Sequence, residues 1–174
     1  ILTEALAKSG ANASGIDLAE EPLKAAKKHA LDHDLRVQYH CVSTADLAKK
    51  EAGKYDIITC MEMLEHVPNP DQVVSDCITL LKPDGQIFFS TLNRNLKSFL
   101  FAIVCAEYIM RLLPTGTHEY KKLIRPHELE AWCNKQGFQL NEIASFMFNP
   151  LFKSFKTKYG KRDVNYITHF VKKA

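Results

Sequence analysis

The sequence predicts an α/β domain built on a largely parallel sheet with flanking helices, and three observations carry that expectation. Short apolar runs alternate along the chain with stretches of helical periodicity, as in successive strand–helix units. The run Ile57-Ile58-Thr59-Cys60 is too apolar for a strand with one wet face and suits a parallel strand covered on both sides. It leads directly into Glu62, Glu65 and His66, and in open α/β sheets ligands bind beyond the carboxyl ends of the strands.

Each element has a local reason. An opening helix stops at Ser9-Gly10, where Gly takes the terminating conformation. A strand over about 13–17 ends in Gly15-Ile16-Asp17. The helix from Glu21 to Asp32 tolerates Pro22 in its first turn, with Glu20 and Glu21 favourable at its positive end. A strand over 37–42 ends near Ser43-Thr44, and 46–50 reads as a brief helix. The strand Tyr55 to Met61 follows. Asn69-Pro70-Asp71 opens the next helix, whose buried stripe is Val73, Val74, Ile78 and Leu81. Lys82-Pro83-Asp84-Gly85 is a turn, since Pro presets φ and Gly allows positive φ. A strand over 86–91, a helix over 126–136 and two strands over 139–148 and 165–172 complete a single domain, 1–174, without internal repeats.

Composition sets further bounds. The chain has 174 residues, 46% hydrophobic and 25% charged, enough for one sizeable core. Residues 1–90 hold 9 Lys+Arg against 14 Asp+Glu, whereas 91–174 hold 14 against 6. The basic half suits an anionic partner such as a lipid surface or a phosphate-bearing ligand, or is simply a solvated face. Its cations are not interleaved with aromatic stacking positions, which argues against a nucleic-acid partner. Five scattered cysteines, none in C-x-x-C spacing, indicate neither a disulfide framework nor a zinc knuckle and point to a reducing compartment. Ile1-Leu2-Thr3-Glu4 reads as mid-helix, so the chain is expected to be a piece of a longer protein.

Four places invite a functional reading. On a helical turn Glu62, Glu65 and His66 would share one face and could converge on a ligand, or they form a plain acidic helix start. Asp17, ending a strand, could accept hydrogen bonds from both hydroxyls of a nucleoside ribose, in NAD or S-adenosylmethionine alike, or could cap the next helix. His118 follows Pro114 and Gly116 in a loop, where functional side chains are often found, or is a plain loop histidine. The segment Ser98 to Leu113 is apolar at 13 of 16 positions, with Glu107 and Arg111 placed to pair. It is shorter than the roughly 20 residues of a spanning helix. Flanked by Arg94, Lys97, Lys121, Lys122 and Arg125, the stretch 98–125 suits an inserted segment docking on an anionic membrane surface. A core or lid helix is the plainer alternative.

The order Gly15-Ile16-Asp17, Tyr55-Asp56-Ile57-Ile58, Leu64-Glu65-His66-Val67 and Leu81-Lys82-Pro83-Asp84-Gly85 resembles the class I S-adenosylmethionine-dependent methyltransferases. Cys60 to Pro68, Phe89-Ser90-Thr91-Leu92-Asn93-Arg94-Asn95 and Pro114-Thr115-Gly116-Thr117-His118 narrow it to the bacterial ubiquinone biosynthesis O-methyltransferases. Asn149-Pro150 and Asp163-Val164-Asn165-Tyr166 extend the likeness over nearly the whole chain. It implies a Rossmann-like sheet whose first, central strand and glycine-rich loop lie upstream of Ile1. It also implies O-methylation of a polyprenyl-catechol, with S-adenosyl-L-methionine as methyl donor. Asp17 would hold the ribose, with Leu18 beside the adenine. Ser43 and Thr44 would lie at the adenine edge, although the acidic residue many relatives use there is missing. Met61 would line the cofactor pocket. Glu62, Glu65 and His66 occupy the positions described as divalent-cation ligands, which for carboxylates suits Mg²⁺ while the His also permits zinc. The implied setting is the cytoplasm, peripheral on the inner face of the membrane, with other ubiquinone biosynthesis proteins as further partners.

The chemistry asks mainly for positioning, because the sulfonium methyl is already a strong electrophile. The phenol must lose a proton whose ordinary pKa is about 10. A metal chelated by both catechol oxygens could lower that value, or a histidine could accept the proton, His66 and His118 being the candidates. Another small-molecule methyltransferase, an NAD-dependent oxidoreductase and a non-enzymatic lipid-binding scaffold are the alternatives. With the central strand and glycine loop upstream, the 174-residue chain alone is expected to fold poorly and to be inactive, since two strand edges would lie open. A thermal melt checks this: cooperative unfolding together with tight cofactor binding would overturn it.

Overall fold

The structure, a computed structural model, describes residues 1–98, 120–149 and 154–173. It divides into two compact units, Ile1–Glu51 and Ala52–Ala174. The smaller unit runs α1 (Leu2–Lys8), β1 (Ser14–Asp17), α2 (Glu20–Asp32), β2 (Gln38–Cys41) and α3 (Thr44–Glu51). β1 and β2 pair in parallel, Gly15 opposite Tyr39 and Asp17 opposite Cys41. Gly15 permits a close approach here: a Cβ on it would stand 2.9 Å from the Tyr39 ring. Glu4 of α1 is buried and both its carboxylate oxygens contact His29 Nδ1 of α2, at 2.9 and 3.0 Å. Burial opposes ionisation of Glu4, but the His29 bond and nearby positive charge outweigh it and hold the carboxyl below its usual range.

The larger unit contains β3 (Tyr55–Met61), a 3₁₀ turn (Leu64–His66), α4 (Pro70–Leu80), β4 (Leu81–Leu92), α5 (Leu96–Ser98), a second 3₁₀ turn (Tyr120–Lys122), α6 (Pro126–Lys135), β5 (Phe138–Asn149), β6 (Ser154–Tyr159) and β7 (Asn165–Lys172). Its five strands lie in the order β3-β4-β7-β5-β6. β3 and β4 are parallel, joined by α4 as a crossover, while β7 runs antiparallel to both β4 and β5. The result is a mixed α/β sheet with flanking helices.

Alternation decides the core. Ile87, Phe89 and Thr91 of β4 and Tyr166, Thr168 and Phe170 of β7 are buried on one face, against α4 and α6 through Val74, Cys77, Leu129 and Cys133. Cys41, Cys60, Cys77 and Cys133 are free thiols. A hydrogen bond with Cys60, together with burial, raises the Cys77 thiol well above its ordinary range, and burial pushes Cys133 up to about 12.

Two departures from the sequence expectation have clear causes. The turn at 82–85 does not precede β4 but lies within it. Between the pairs Tyr55↔Leu81 and Ile57↔Gln86, Asp56 alone faces those four residues. Lys82 Nζ closes the irregularity by donating to both Asp56 carboxylate oxygens at 2.8 Å. The sequence reading also passed over β6, although Phe155-Lys156-Thr157-Lys158-Tyr159 alternates with a strand period.

Tyr166 links sheet to chain path. Its buried Oη donates to the Ile124 carbonyl at 3.0 Å, while the Ile124 N–H donates to the Leu92 carbonyl at 3.2 Å. Burial, reinforced by Glu128 and Glu65, raises the phenol far above its ordinary range. Tyr166→Phe leaves a buried carbonyl without its donor and should destabilise the protein by about 1–2 kcal/mol. Chemical denaturation measures this; an unchanged midpoint would contradict it.

Candidate functional site

In the smaller unit the exposed Asp17 ends β1. Its Oδ1 accepts the Ala19 N–H at 2.9 Å, a local turn that sets the carboxylate's direction. Its carbonyl accepts the Val42 N–H at 3.2 Å, tying the ends of β1 and β2 together. Leu18, next along, is 72% exposed, an apolar side chain beside an exposed carboxylate. That pair suits a nucleoside, with hydroxyls for the acid and a base for the leucine. An accepting carboxylate beside an apolar side chain is thus compatible with the ribose and base of a nucleoside cofactor.

Ser43 caps the next helix. Its Oγ donates to Asp46 Oδ2 at 2.8 Å and accepts the Asp46 N–H at 3.1 Å, a reciprocal cap on α3. The Ser43 bond, then Lys49, holds the Asp46 carboxyl below its usual range. Thr44 begins the helix itself.

In the larger unit Met61 is the last residue of β3, half-buried and paired with Ser90 of β4. Glu62 then takes φ +49°, a left-handed conformation uncommon for a residue with a side chain. Its N–H donates to the Ser90 carbonyl at 2.9 Å and also reaches Ser90 Oγ at 3.2 Å. In return Ser90 Oγ–H donates to Glu62 Oε1 at 2.6 Å. Leu64–His66 forms one 3₁₀ turn, closed by His66 N–H to the Met63 carbonyl at 3.0 Å. Leu64 and Glu65 are buried and His66 is exposed. Glu65 Oε2 accepts from the buried Thr91 Oγ at 2.7 Å.

This geometry corrects the expectation that Glu62, Glu65 and His66 share a helical face. The left-handed Glu62 and the tighter 3₁₀ turn break the 3.6-residue phase on which that spacing relied. Ser90 and Thr91 are successive strand residues, so the carboxylates they hold approach β4 from opposite faces. Among the described residues no group of three or more His, Cys, Asp or Glu side chains is placed to hold a metal ion. The donor set as arranged does not fit Mg²⁺, which demands near-octahedral oxygen ligation.

His118 and residues 99–119 of the apolar segment lie outside the described residues. Both flanks are described, and they are bonded to one another. Arg94 Nη1 donates to the Lys121 carbonyl at 3.2 Å, and Arg94 Nη2 pairs with Glu128 of α6. Glu128 Oε2 accepts the Arg125 N–H at 2.8 Å. Asn93 and Asn95 donate to the Asp163 carbonyl, at 3.1 and 2.9 Å, and Ser98 Oγ donates to that of Val164 at 3.0 Å. Among the described residues no helix is long and apolar enough to cross a membrane. Sequence reasoning missed the roles of Ser90, Thr91, Asn93 and Arg94 because their partners lie 26 to 70 residues away.

A family model described as "Methyltransferase domain" matches residues 1–143. The chain is 50% identical to the Ubiquinone biosynthesis O-methyltransferase of Bordetella avium, over 96% of this chain and 69% of that protein. With the same-named protein of Pseudomonas syringae pv. tomato it shares 47% identity, over 100% of this chain and 75% of the relative. A solved SAM-dependent methyltransferase from Methanosarcina mazei superposes with a TM-score of 0.70 at 16% identity, covering 97% of this chain and 85% of that one. The [4+2]-cyclase SpnF matches with a TM-score of 0.64 at 13% identity, covering 92% and 66% of the two chains. A fold shared with a cyclase does not by itself name a reaction; the close relatives carry that weight.

Proposed function

This chain belongs to the ubiquinone biosynthesis O-methyltransferases, S-adenosylmethionine-dependent enzymes, and from that premise we propose that its acceptor is a polyprenylated catechol methylated at the carboxyl end of β3. Membership decides for a methyltransferase over the oxidoreductase and scaffold readings that Asp17 and the apolar segment had left open. The observation that carries the site assignment is Glu62, held in a sparsely populated conformation at a parallel strand's carboxyl end, where such strain marks functional positions.

The bound cofactor supplies an electrophilic methyl group on sulfur. The chain's own residues bind, orient and receive a proton. Asp17 accepts hydrogen bonds from the ribose hydroxyls, and Leu18 packs beside the adenine. Met61 lines the cofactor pocket. Glu62 and His66 face the acceptor hydroxyl, with the exposed imidazole of His66 as proton acceptor. His118 is the second candidate for that role. A divalent cation, if the full protein uses one, needs a rearrangement of Glu62 and Glu65 away from Ser90 and Thr91.

The acceptor's polyprenyl tail is insoluble, so we place the reaction at the cytoplasmic face of the membrane, reached through residues 98–125. Lys121, Lys122 and Arg125 are exposed there, and each cation near an anionic surface contributes about 1 kcal/mol. Other proteins of the same biosynthesis would be neighbours on that surface.

Two measurements test the reading. Asp17→Ala in the full-length protein should weaken S-adenosylhomocysteine binding about 10- to 100-fold by titration calorimetry, the loss of hydrogen bonds to a charged group. Unchanged affinity would remove Asp17 from the site, and tighter binding of NADH would remove the cofactor assignment. In liposome flotation the protein should rise with vesicles containing anionic lipid and should do so less as salt increases. No flotation with either neutral or anionic vesicles would end the membrane proposal.

A further inference from the structure

We propose that Ser90 and Thr91 are positioning residues for methyl transfer: they are the hydroxyls that set Glu62 and the Glu65–His66 turn beside the reacting group. The inference rests on the reading that the acceptor is methylated at the carboxyl end of β3.

The first argument is the cost of burying a hydroxyl. Ser90 and Thr91 are 7% and 0% exposed, on a strand whose neighbouring core positions are Ile87 and Phe89. An apolar side chain would fill such positions without needing a partner, whereas a buried hydroxyl must be satisfied. Both hydroxyls find carboxylates, and both carboxylates belong to the four residues after β3. Two adjacent strand residues thus project to opposite faces and grip the same short loop from both sides.

The second argument is the pattern of bonds around Glu62. Ser90 receives the Glu62 N–H at its carbonyl and at its Oγ, and returns the Oγ proton to the Glu62 carboxylate. Backbone and side chain of Glu62 are therefore held by one residue of the neighbouring strand. A left-handed non-glycine residue is strained and persists only where its surroundings over-determine it. An exposed glutamate would otherwise sample many rotamers in water. Here its carboxylate is tethered to a buried hydroxyl at the strand end.

Thr91 acts at one remove. Its bond to the buried Glu65 pins the 3₁₀ turn to β4, and the next residue, His66, is the one the turn leaves exposed. Release of Glu65 would free the turn and the imidazole with it.

The test uses the full-length protein, a catechol acceptor and initial-rate kinetics, with S-adenosylhomocysteine titration alongside. Ser90→Ala and Thr91→Val should each lower kcat about 10- to 100-fold, the scale of a small misplacement at a reacting centre. Cofactor affinity should stay within about twofold. Ser90→Thr and Thr91→Ser keep the hydroxyl and should recover most of the lost rate. Wild-type kcat in folded Ser90→Ala and Thr91→Val would overturn the proposal. So would hydroxyl-keeping variants no better than the hydroxyl-free ones, which would make the effect one of packing. Glu62→Gln serves as reference: if it retains full activity, the placement of the reaction at β3 fails. If it is impaired while the Ser90 and Thr91 variants are normal, only the positioning role fails.

Discussion

Parallel pairing of β3 with β4 is the constraint from which the larger unit follows. Parallel neighbours need a crossover, and α4 supplies it; the crossover then covers the face on which Ile87 and Phe89 are buried. The same pairing brings the carboxyl ends of both strands to one edge of the sheet. Met61 lies opposite Ser90, so whatever follows β3 meets the last residues of β4. Antiparallel pairing could not do this, because the end of one strand would face the start of the other. β7 then returns between β4 and β5, and its alternating buried residues complete the core.

Most buried polar groups of this unit are hydrogen-bonded, Ser145 Oγ being an exception, and the bonded ones fix position rather than add bulk. Tyr166 ties β7 to Ile124, whose N–H ties in turn to Leu92, so the chain leaving β4 and the chain returning to α6 are held side by side. Arg94 repeats that connection with Glu128 and the Lys121 carbonyl. The buried thiols Cys77 and Cys133 behave as small apolar groups, their ionisation suppressed by burial and, for Cys77, first by its bond to Cys60. The hydroxyls of Ser90 and Thr91 differ from all of these in reaching outward to the loop after β3. The structural and chemical parts of the fold meet at those two residues.

The parts legible in sequence were those that depend on near neighbours. α2 and α4 followed from their end signals, and β3 was read with matching bounds, although Ile57 is 57% exposed where a strand covered on both faces was expected. Asp17 at a strand end and the Leu-Glu-His-Val and Thr-Leu-Asn-Arg-Asn stretches pointed to the family that the close relatives establish. The reading of Glu62, Glu65 and His66 as one face went wrong for a local reason with a distant cause. A left-handed Glu62 is not foreseeable from its neighbours, because Ser90, 28 residues on, supplies the bonds that hold it. Ser43, read for the adenine edge, also caps α3, a role its spacing to Asp46 already allowed.

The sequence by itself determined the alternation of strands and helices, the apolar strand that ends in acids, the uneven charge, and the family. Each of these is written in residues a few positions apart, where periodicity and turn chemistry act. Only the tertiary structure decided that Glu62 and Glu65 are gripped from opposite faces of β4, and that Arg94 pairs with Glu128 of α6. It alone placed β7 between β4 and β5. Those facts depend on strand register between distant segments, and register is set by which buried faces must meet in the packed core.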